Sequence, residues 1–324
     1  MKDILSNERG VALIMVILII SLIVGVTIQF NRDSRSEVYE ASNLSDSINL
    51  LYIAKSGFNG AKAFLREDTN NYDSLTEDWA QAIFLSTASS VLFDSGSFRL
   101  EIDDESGKIP INRLVNQNQY NTPVEGVLLR LLMLPEFDLA EQEAGDIVDA
   151  IKDWIDADNE VTGFGAENMY YETLEVSYPC KNGPLDCIDE LMMIKGITKE
   201  LYYGDGEKPG IARYLSVHGD GKININTAPV LILRALEGEI TEEMAGDMDE
   251  YRKDKDNELS RTTWYKNVTG MAGIAIDENI ISTESNFFRI TSTGFLNEMR
   301  KTLVGVVERN RTKKTMTMLS WKVE

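Results

Sequence analysis

The chain has 324 residues and carries 53 acidic against 32 basic side chains, a formal net charge of −21. A surface this acidic repels phosphate backbones, which argues against nucleic acid as a partner, and it suits divalent cations. His218 is the single histidine, so a histidine-dependent catalytic triad or a multi-histidine zinc site is disfavoured. The length allows one membrane anchor and two modest domains.

The N-terminus joins a short polar stretch to an apolar run. Residues 1–10 end in Arg9-Gly10, and Val11 to Ile28 form an uncharged run of 18 residues. About 20 apolar residues at 1.5 Å per residue cross the core of a bilayer. No small-residue cleavage pattern of the kind found in secretory signal peptides follows the run. Two hypotheses stay open here: an uncleaved membrane anchor, or a leader that is cut after Gly10 while the apolar helix is kept.

The helical pattern continues beyond the apolar run. No proline occurs before Pro110, so nothing forces a break. We expect one helix over residues 11–66, about 80 Å long, embedded in a membrane first and then packed against a small domain. A membrane helix hinged at Asn31 to a separate surface helix is the alternative. The expected apolar stripe of the second half, at spacings of three, four and seven, is Val38, Ala41, Leu44, Ile48, Leu51, Phe58 and Leu65.

The rest of the chain alternates between strand and helix patterns. Polar and apolar residues alternate at 97–102, 287–290 and 302–307, which predicts half-buried strands. Short helices are expected between them. This order predicts an α+β fold with a helical domain inserted into a smaller one. The expected parts are the first part of the smaller domain at 67–107, the insert at 108–218 and the second part at 219–324, with a loosely held basic tail from residue 309.

The densest chemistry lies in the acidic stretch that starts at Asp153. Counting Asp156 as position one puts Glu167 at position twelve, as in an EF-hand loop, but Val161 at position six replaces the required glycine. We therefore reject an EF-hand and predict a calcium site of irregular geometry. A solvated acidic helix end is the alternative. The predicted ligands are Asp156, Asp158, Glu160 and Glu167, with Asn159 or Asn168 and backbone carbonyls completing the shell.

The two cysteines, Cys180 and Cys187, lie close together in the sequence. A closely spaced pair beyond a membrane favours one disulfide, and two free buried thiols are the alternative. Lysine and arginine are balanced around the apolar run, so the positive-inside rule does not orient it. The acidic body and the paired cysteines favour the outer side of the membrane.

Four segments together resemble one family, the minor pseudopilin K of bacterial type II secretion, also called general secretion pathway protein K. They occur in the family's order and cover residues 9 to 229. They are Arg9-Gly10-Val11-Ala12-Leu13; residues 153–158 with Gly165-Ala166-Glu167 and Tyr170-Tyr171; residues 181–185 with Glu190-Leu191 and residues 194–198; and residues 223–229.

The resemblance implies a pilin-like fold, in which a long N-terminal helix packs on a small antiparallel sheet, with a large inserted all-helical domain that binds calcium. It implies cleavage by prepilin peptidase between Gly10 and Val11, with methylation of Val11. Mature position five is then Met15, where major pilin-type subunits carry glutamate.

The expected protein is a non-enzymatic tip subunit of the pseudopilus, with a role in export across the outer membrane. It would cross the inner membrane once and hold its bulk in the periplasm. Its expected partners are the minor pseudopilins I and J, with the secreted cargo or the outer-membrane channel facing the inserted domain.

The alternative function is a membrane-bound nucleic-acid module of the helix-hairpin-helix type. Residues 191–197 and 226–229 resemble such hairpins, which bind phosphates through backbone N–H groups beside basic residues. Only Lys195 and Lys199 flank the first hairpin, and glutamates crowd the second. Helical packing explains both segments better, and no nucleic-acid partner is expected.

Overall fold

A computed structural model describes residues 8–324, apart from the side chains of residues 8, 9, 83, 85 and 88. Residues 1–7 of the predicted leader lie outside the described residues. The helices are α1 (Glu8–Glu67), α2 (Ile83–Leu92), α3 (Thr122–Leu132), α4 (Glu141–Ile155), α5 (Asn168–Tyr171), α6 (Lys199–Tyr203), α7 (Val230–Ala235) and α8 (Glu242–Lys253). The strands are β1 (Ser97–Asp104), β2 (Ile109–Pro110), β3 (Val115–Asn116), β4 (Gln119–Tyr120), β5 (Leu215–Ser216), β6 (Ile223–Asn224), β7 (Ile281–Ser282), β8 (Phe287–Leu296), β9 (Met299–Asn310) and β10 (Thr315–Val323).

Helix α1 is continuous over 60 residues, so the single long helix is confirmed and the alternative hinge at Asn31 is wrong. Its apolar first half is exposed throughout, and the helix is long and apolar enough to cross a membrane. Its C-terminal part packs on the sheet through residues spaced by three or four. These buried residues are Leu50, Ile53, Ala54, Phe58, Ala61 and Leu65.

The predicted stripe on α1 is only partly buried within this chain. Val38 is 66% exposed, Leu44 64% and Ile48 47%, so the prediction that they pack against the small domain is wrong. The reason is geometric, because the buried residues of α1 begin only at Leu50. The chain itself leaves these apolar side chains uncovered, among the polar residues in the middle of α1.

The main sheet has four strands in the order β1-β8-β9-β10, and the neighbours are antiparallel. Helix α1 packs closely on one face. A Cβ on Gly294 would lie 2.8 Å from the carbonyl oxygen of Leu50, which explains a glycine near the end of β8. This helix on an antiparallel sheet confirms the pilin-like part of the predicted fold.

The C-terminal residues differ from the predicted loose tail. Residues 315–323 form the edge strand β10, paired with β9 in a register that joins Thr317 to Glu308 and Lys322 to Val304. The alternation of side chains in Thr315–Val323 is the sequence signal for this strand. The prediction of a loose tail came from the basic residues that precede this strand.

The helical block lies between β1 and β8, as predicted, but it is larger than predicted. One hydrophobic core runs from Ile109 to Ile281, so residues 223–281 pack with the inserted domain and not with the pilin-like sheet. Two-residue parallel pairings join the start of the block to its middle, β2 with β5, and its middle to its end, β6 with β7. The insert is therefore mainly helical with short bridging strands.

Candidate metal centre in the acidic loop

Helix α4 positions the first part of the acidic loop, which we define as residues 156–167. The Glu143 carboxylate accepts a hydrogen bond from the N–H of Ala140 at 3.1 Å and caps the start of the helix. The last turn of α4 is buried, including Asp153 and Trp154. The helix ends at Ile155, and the extended backbone of Asp156 after it begins the loop.

Three carboxylates converge where the loop returns to α5. Asp156, Asp158 and Glu167 each offer an oxygen, and these oxygens lie within 4.8 Å of one another. Asp156 is 2% exposed and Glu167 3%. The alternative of a solvated acidic helix end does not fit these two buried side chains, since solvent cannot compensate their charges.

Several oxygens at this site have no hydrogen-bond partner among the described residues. They are Oδ1 of Asp156, both carboxylate oxygens of Glu167 and Oδ1 of Asn182. Buried polar atoms in native proteins are almost always paired. Oxygens left over in one place suit a hard divalent cation, which takes carboxylate and amide oxygens as ligands.

The electrostatics of the cluster agree with a missing positive charge. Burial, together with the nearby carboxylates of Asp153 and Asp156, raises the pKa of Glu167 to about 7. The pKa of Asp153 is also raised by burial. A bound cation would reverse these shifts because it favours the ionised carboxylates.

Lys152 supplies only part of the compensation. Its ammonium group lies 2.6 Å from Oδ2 of Asp156 and 2.7 Å from Oγ1 of Thr162, and it stands over the ring of Tyr120. One lysine therefore neutralises one carboxylate. The other oxygen of Asp156 is buried without a hydrogen-bond partner among the described residues.

The structure brings three of the predicted ligands together, namely Asp156, Asp158 and Glu167. Glu160 lies outside the cluster and is exposed, and its N–H donates to Asp158 Oδ1 at 2.9 Å. The amide of Asn168 donates to Asn159 Oδ1 at 2.7 Å, and Asn168 Oδ1 accepts from the N–H of Cys180 at 2.8 Å. These two asparagines brace the loop with oxygens that are already paired.

The sequence interpretation missed Asn182. Its side-chain amide donates to the carbonyl of Asp158 and to Asn159 Oδ1, while its own oxygen is buried and unpaired. The residue has φ of 47°, a left-handed conformation that asparagine tolerates. The Asn182-Gly183-Pro184 turn was the available signal, because such turns bring a distant side chain beside a loop.

The structure contradicts the predicted disulfide between Cys180 and Cys187, since both cysteines are free. Cys180 is buried, and its thiol lies 3.6 Å from the carbonyl oxygen of Asp153. Burial raises the pKa of this thiol to about 12. Cys187 is exposed at the start of a short 3-10 helix. The two side chains therefore face different surroundings, one toward the acidic loop and one toward solvent.

Both segments that resemble nucleic-acid hairpins serve other roles here. The ammonium group of Lys195 donates to the carbonyls of Phe164 and Gly165 at 2.8 and 3.1 Å. Asn226 is fully buried, and its oxygen accepts from the indole N–H of Trp264 at 2.7 Å. Neither segment presents a basic surface around free backbone N–H groups.

The fold defines the class of the protein. A long N-terminal helix on an antiparallel sheet, with a helical domain inserted between β1 and β8, is a pilin-like subunit with an enlarged head. Residues 107–204 match the family model of type II secretion system protein K. This match agrees with the resemblance to the minor pseudopilins K seen in the sequence.

Individual relatives agree with this assignment. Type II secretion system protein K of Pseudomonas aeruginosa is 24% identical over 96% of this chain and 92% of its own length. The protein of the same description from Pectobacterium carotovorum is 30% identical over 61% of each chain. A crystal structure of the GspK-GspI-GspJ complex from enterotoxigenic Escherichia coli matches 88% of this chain and 99% of the solved chain, with a TM-score of 0.64 and 18% identity.

Proposed function

We propose that the protein is a non-enzymatic tip subunit of the type II secretion pseudopilus, with a role in protein export across the outer membrane. It assembles with the minor pseudopilins I and J through its stem. The observation that carries the proposal is the set of exposed apolar side chains on the stem part of α1, Val38, Leu44 and Ile48, which no other part of the described chain covers. The solved relative in a GspK-GspI-GspJ complex supports the choice of partners.

The exposed stem residues have the spacing of a helix–helix seam. Leu44, Ile48 and Tyr52 follow one another at i, i+4 and i+8, and they are 64%, 47% and 65% exposed. Residues at this spacing share one face of a helix. Packing of this face against neighbouring stem helices would remove apolar surface from water. Each Å² of apolar surface buried in this way stabilises the complex by about 25 cal/mol.

Two features support a place at the end of a fibre. After cleavage behind Gly10, mature position five is Met15, an apolar residue that is 56% exposed on α1. It offers no carboxylate to pair with the amino terminus of a neighbouring subunit. The inserted domain enlarges the part of the chain beyond the stem helix. A subunit enlarged in this way is better suited to the end of a fibre than to repeating along its shaft.

The processing site lies at the start of the apolar helix. Gly10 and Val11 are both exposed within α1, so the bond is open to a peptidase at the membrane surface. We propose cleavage by prepilin peptidase and methylation of Val11, an inner-membrane location for the first half of α1 and a periplasmic location for the rest. Mass spectrometry of the membrane-extracted protein tests this, and an intact Met1 terminus in cells with active peptidase would contradict it.

The acidic loop is proposed to hold calcium with a structural role. Asp156, Asp158 and Glu167 would supply carboxylate oxygens and Asn182 an amide oxygen. A cation there would pull the loop, the end of α4 and the start of α5 together. Calcium suits this irregular set better than magnesium, which demands near-octahedral order.

A reconstitution experiment tests the assembly proposal. The full chain in detergent is mixed with purified pseudopilins I and J and run on a sizing column, and we expect a ternary complex. The double variant Leu44→Asp/Ile48→Asp should not join it, whereas Val91→Asp should, because Val91 is 87% exposed on α2 and is not one of the stem-face residues. A complex that tolerates the stem variant would contradict the proposal.

A further inference from the structure

An exposed phenylalanine stands at the tip of a tight turn in the acidic loop. Phe164 is 64% exposed and lies between two glycines. A Cβ on Gly163 would come within 2.2 Å of Asp149 Oδ2, and one on Gly165 would come within 2.1 Å of Asp153 Oδ2. The turn therefore needs both glycines to fit closely onto the end of α4 while it projects the aromatic ring outward.

The backbone of Phe164 is fixed on both sides. Its N–H donates to Asp149 Oδ2 at 3.1 Å, and its carbonyl accepts from the ammonium group of Lys195 at 2.8 Å. Asp149 is itself held by the hydroxyl of Tyr120 at 2.5 Å. An aromatic side chain on a fixed backbone loses little conformational entropy on binding, which is the property of an interface anchor.

Other apolar side chains surround this turn in the sequence and are also exposed. Val161 is 56% exposed, Met169 83% and Val176 77%. The ammonium group of Lys195, which also contacts Phe164, lies 5.4 Å from the ring centroid of Tyr170. Single exposed apolar residues are normal on a protein surface, but several between residues 161 and 176 indicate an interaction site.

The charge of the surrounding segment is of one sign. Residues 153–180 contain seven acidic residues and no lysine or arginine. Glu160, Glu172 and Glu175 of this set are exposed. A divalent ion at the acidic loop would neutralise two of these charges, and Lys152 and Lys195, which contact the segment from outside it, would offset two more, so the segment stays negative. A ligand for this surface must therefore bring positive charge next to apolar side chains.

We propose that Phe164 and its apolar neighbours form a docking surface for a segment of a partner protein in which apolar side chains alternate with lysine or arginine. Phe164 and Met169 are the apolar anchors, and the acidic rim selects the charge. The surface lies on the inserted domain, apart from the stem face assigned to pseudopilins I and J. The proposal goes beyond assembly, because it assigns the head a binding role of its own.

The experiment measures fluorescence anisotropy of short labelled peptides with the full chain in detergent at physiological salt. The first peptide alternates leucine with lysine, the second replaces lysine by glutamate, and the third replaces leucine by serine. We expect the first peptide to bind best. The double variant Phe164→Ser/Met169→Ser should weaken it by at least about tenfold, Phe164→Leu by less, and the matched control Val91→Ser not at all.

The outcomes separate this proposal from the assembly proposal. Loss of peptide binding in the Phe164→Ser/Met169→Ser variant, with unchanged melting temperature and an intact complex with pseudopilins I and J, supports the docking surface. Equal binding of the lysine and glutamate peptides overturns it. Equal binding of the first peptide to the wild type and the double variant also overturns it, whether or not the complex with I and J forms.

Discussion

Asp73 and Arg309 form a buried ion pair at the point where the stem helix, the sheet and the inserted domain meet. The carboxylate and the guanidinium are 2.5 Å apart, and the two side chains are 0% and 2% exposed. Arg309 also donates to Asp68 at 2.8 Å and to the carbonyl of Ser285 at 2.7 Å. The carbonyl of Asp73 accepts from the side chain of Asn224 at 3.1 Å. This network fixes the inserted domain relative to the stem.

The first prediction is that Asp73→Ala strongly destabilises the protein. It would leave the buried Arg309 charge without its closest partner, and loss of one member of a buried pair costs about 3–5 kcal/mol. Urea unfolding of the detergent-solubilised chain measures the change. The control is Glu324→Ala, which removes the exposed pair with Lys322 and should change the free energy of unfolding by about 1 kcal/mol or less. Similar losses in both variants would contradict the role of the network.

The second prediction concerns Asp104 and pH. Burial raises the pKa of Asp104 from 3.8 to about 6, although the hydroxyls of Ser285 and Thr227 donate to its carboxylate. Between these values the folded state binds more protons than the unfolded state, so this group makes stability fall as pH rises from about 4 to about 6. Asp104→Asn should reduce this fall in melting temperature. A variant with the same pH profile as the wild type would show that Asp104 titrates normally.

The third prediction is that calcium stabilises the fold. Chelation should lower the melting temperature, and calcium should restore it better than magnesium. A cation that binds only the folded state adds about 2.7 kcal/mol at a hundredfold excess over Kd. Asp158→Ala should abolish the response because it removes one of the three converging carboxylates.

Glu160 provides the matched control for calcium. It sits two residues from Asp158 but outside the cluster, so Glu160→Ala should keep the calcium response. If neither chelator nor calcium changes the melting temperature of the wild type, the loop does not bind calcium. A response lost equally in both variants would instead assign Glu160 to the ligand shell.

The fourth prediction compares two glycines near α4. Gly165→Ala places a Cβ within 2.1 Å of the Asp153 carboxylate and should destabilise the protein. It should also weaken calcium binding, because the clash moves the acidic loop. Gly145→Ala lies within α4, and its Cβ would meet nothing within 4 Å. It should stabilise the protein by about 0.5–1 kcal/mol, since alanine is the better helix former. Thermal unfolding measures the melting temperature of each variant. Equal changes in melting temperature for the two variants would contradict the close packing at Gly165.

The sequence anticipated features that depend on local pattern. The apolar run and the absence of proline predicted α1, and the alternation at 97–102 predicted β1, because both signals are periodic and short-range. The spacing of Asp156, Asp158 and Glu167 likewise predicted their convergence.

Features that depend on tertiary packing were not predictable from one sequence. The orientation of Glu160 is one case, because a loop carboxylate can face either inward or outward at the same spacing. The extent of the inserted domain is another, since the core that joins Ile109 to Ile281 is formed by contacts between distant segments. The same reason explains why Asn182 was missed and why Cys180 and Cys187 were paired wrongly.

The central claim is that this chain caps the pseudopilus. The most direct measurement is electron microscopy of assembled pseudopili labelled with gold-conjugated antibody against the inserted domain. The account predicts label at one end of each fibre, and no label in cells that lack the gene for this chain. Label distributed along the shaft would contradict a tip position and would make this chain a repeating subunit.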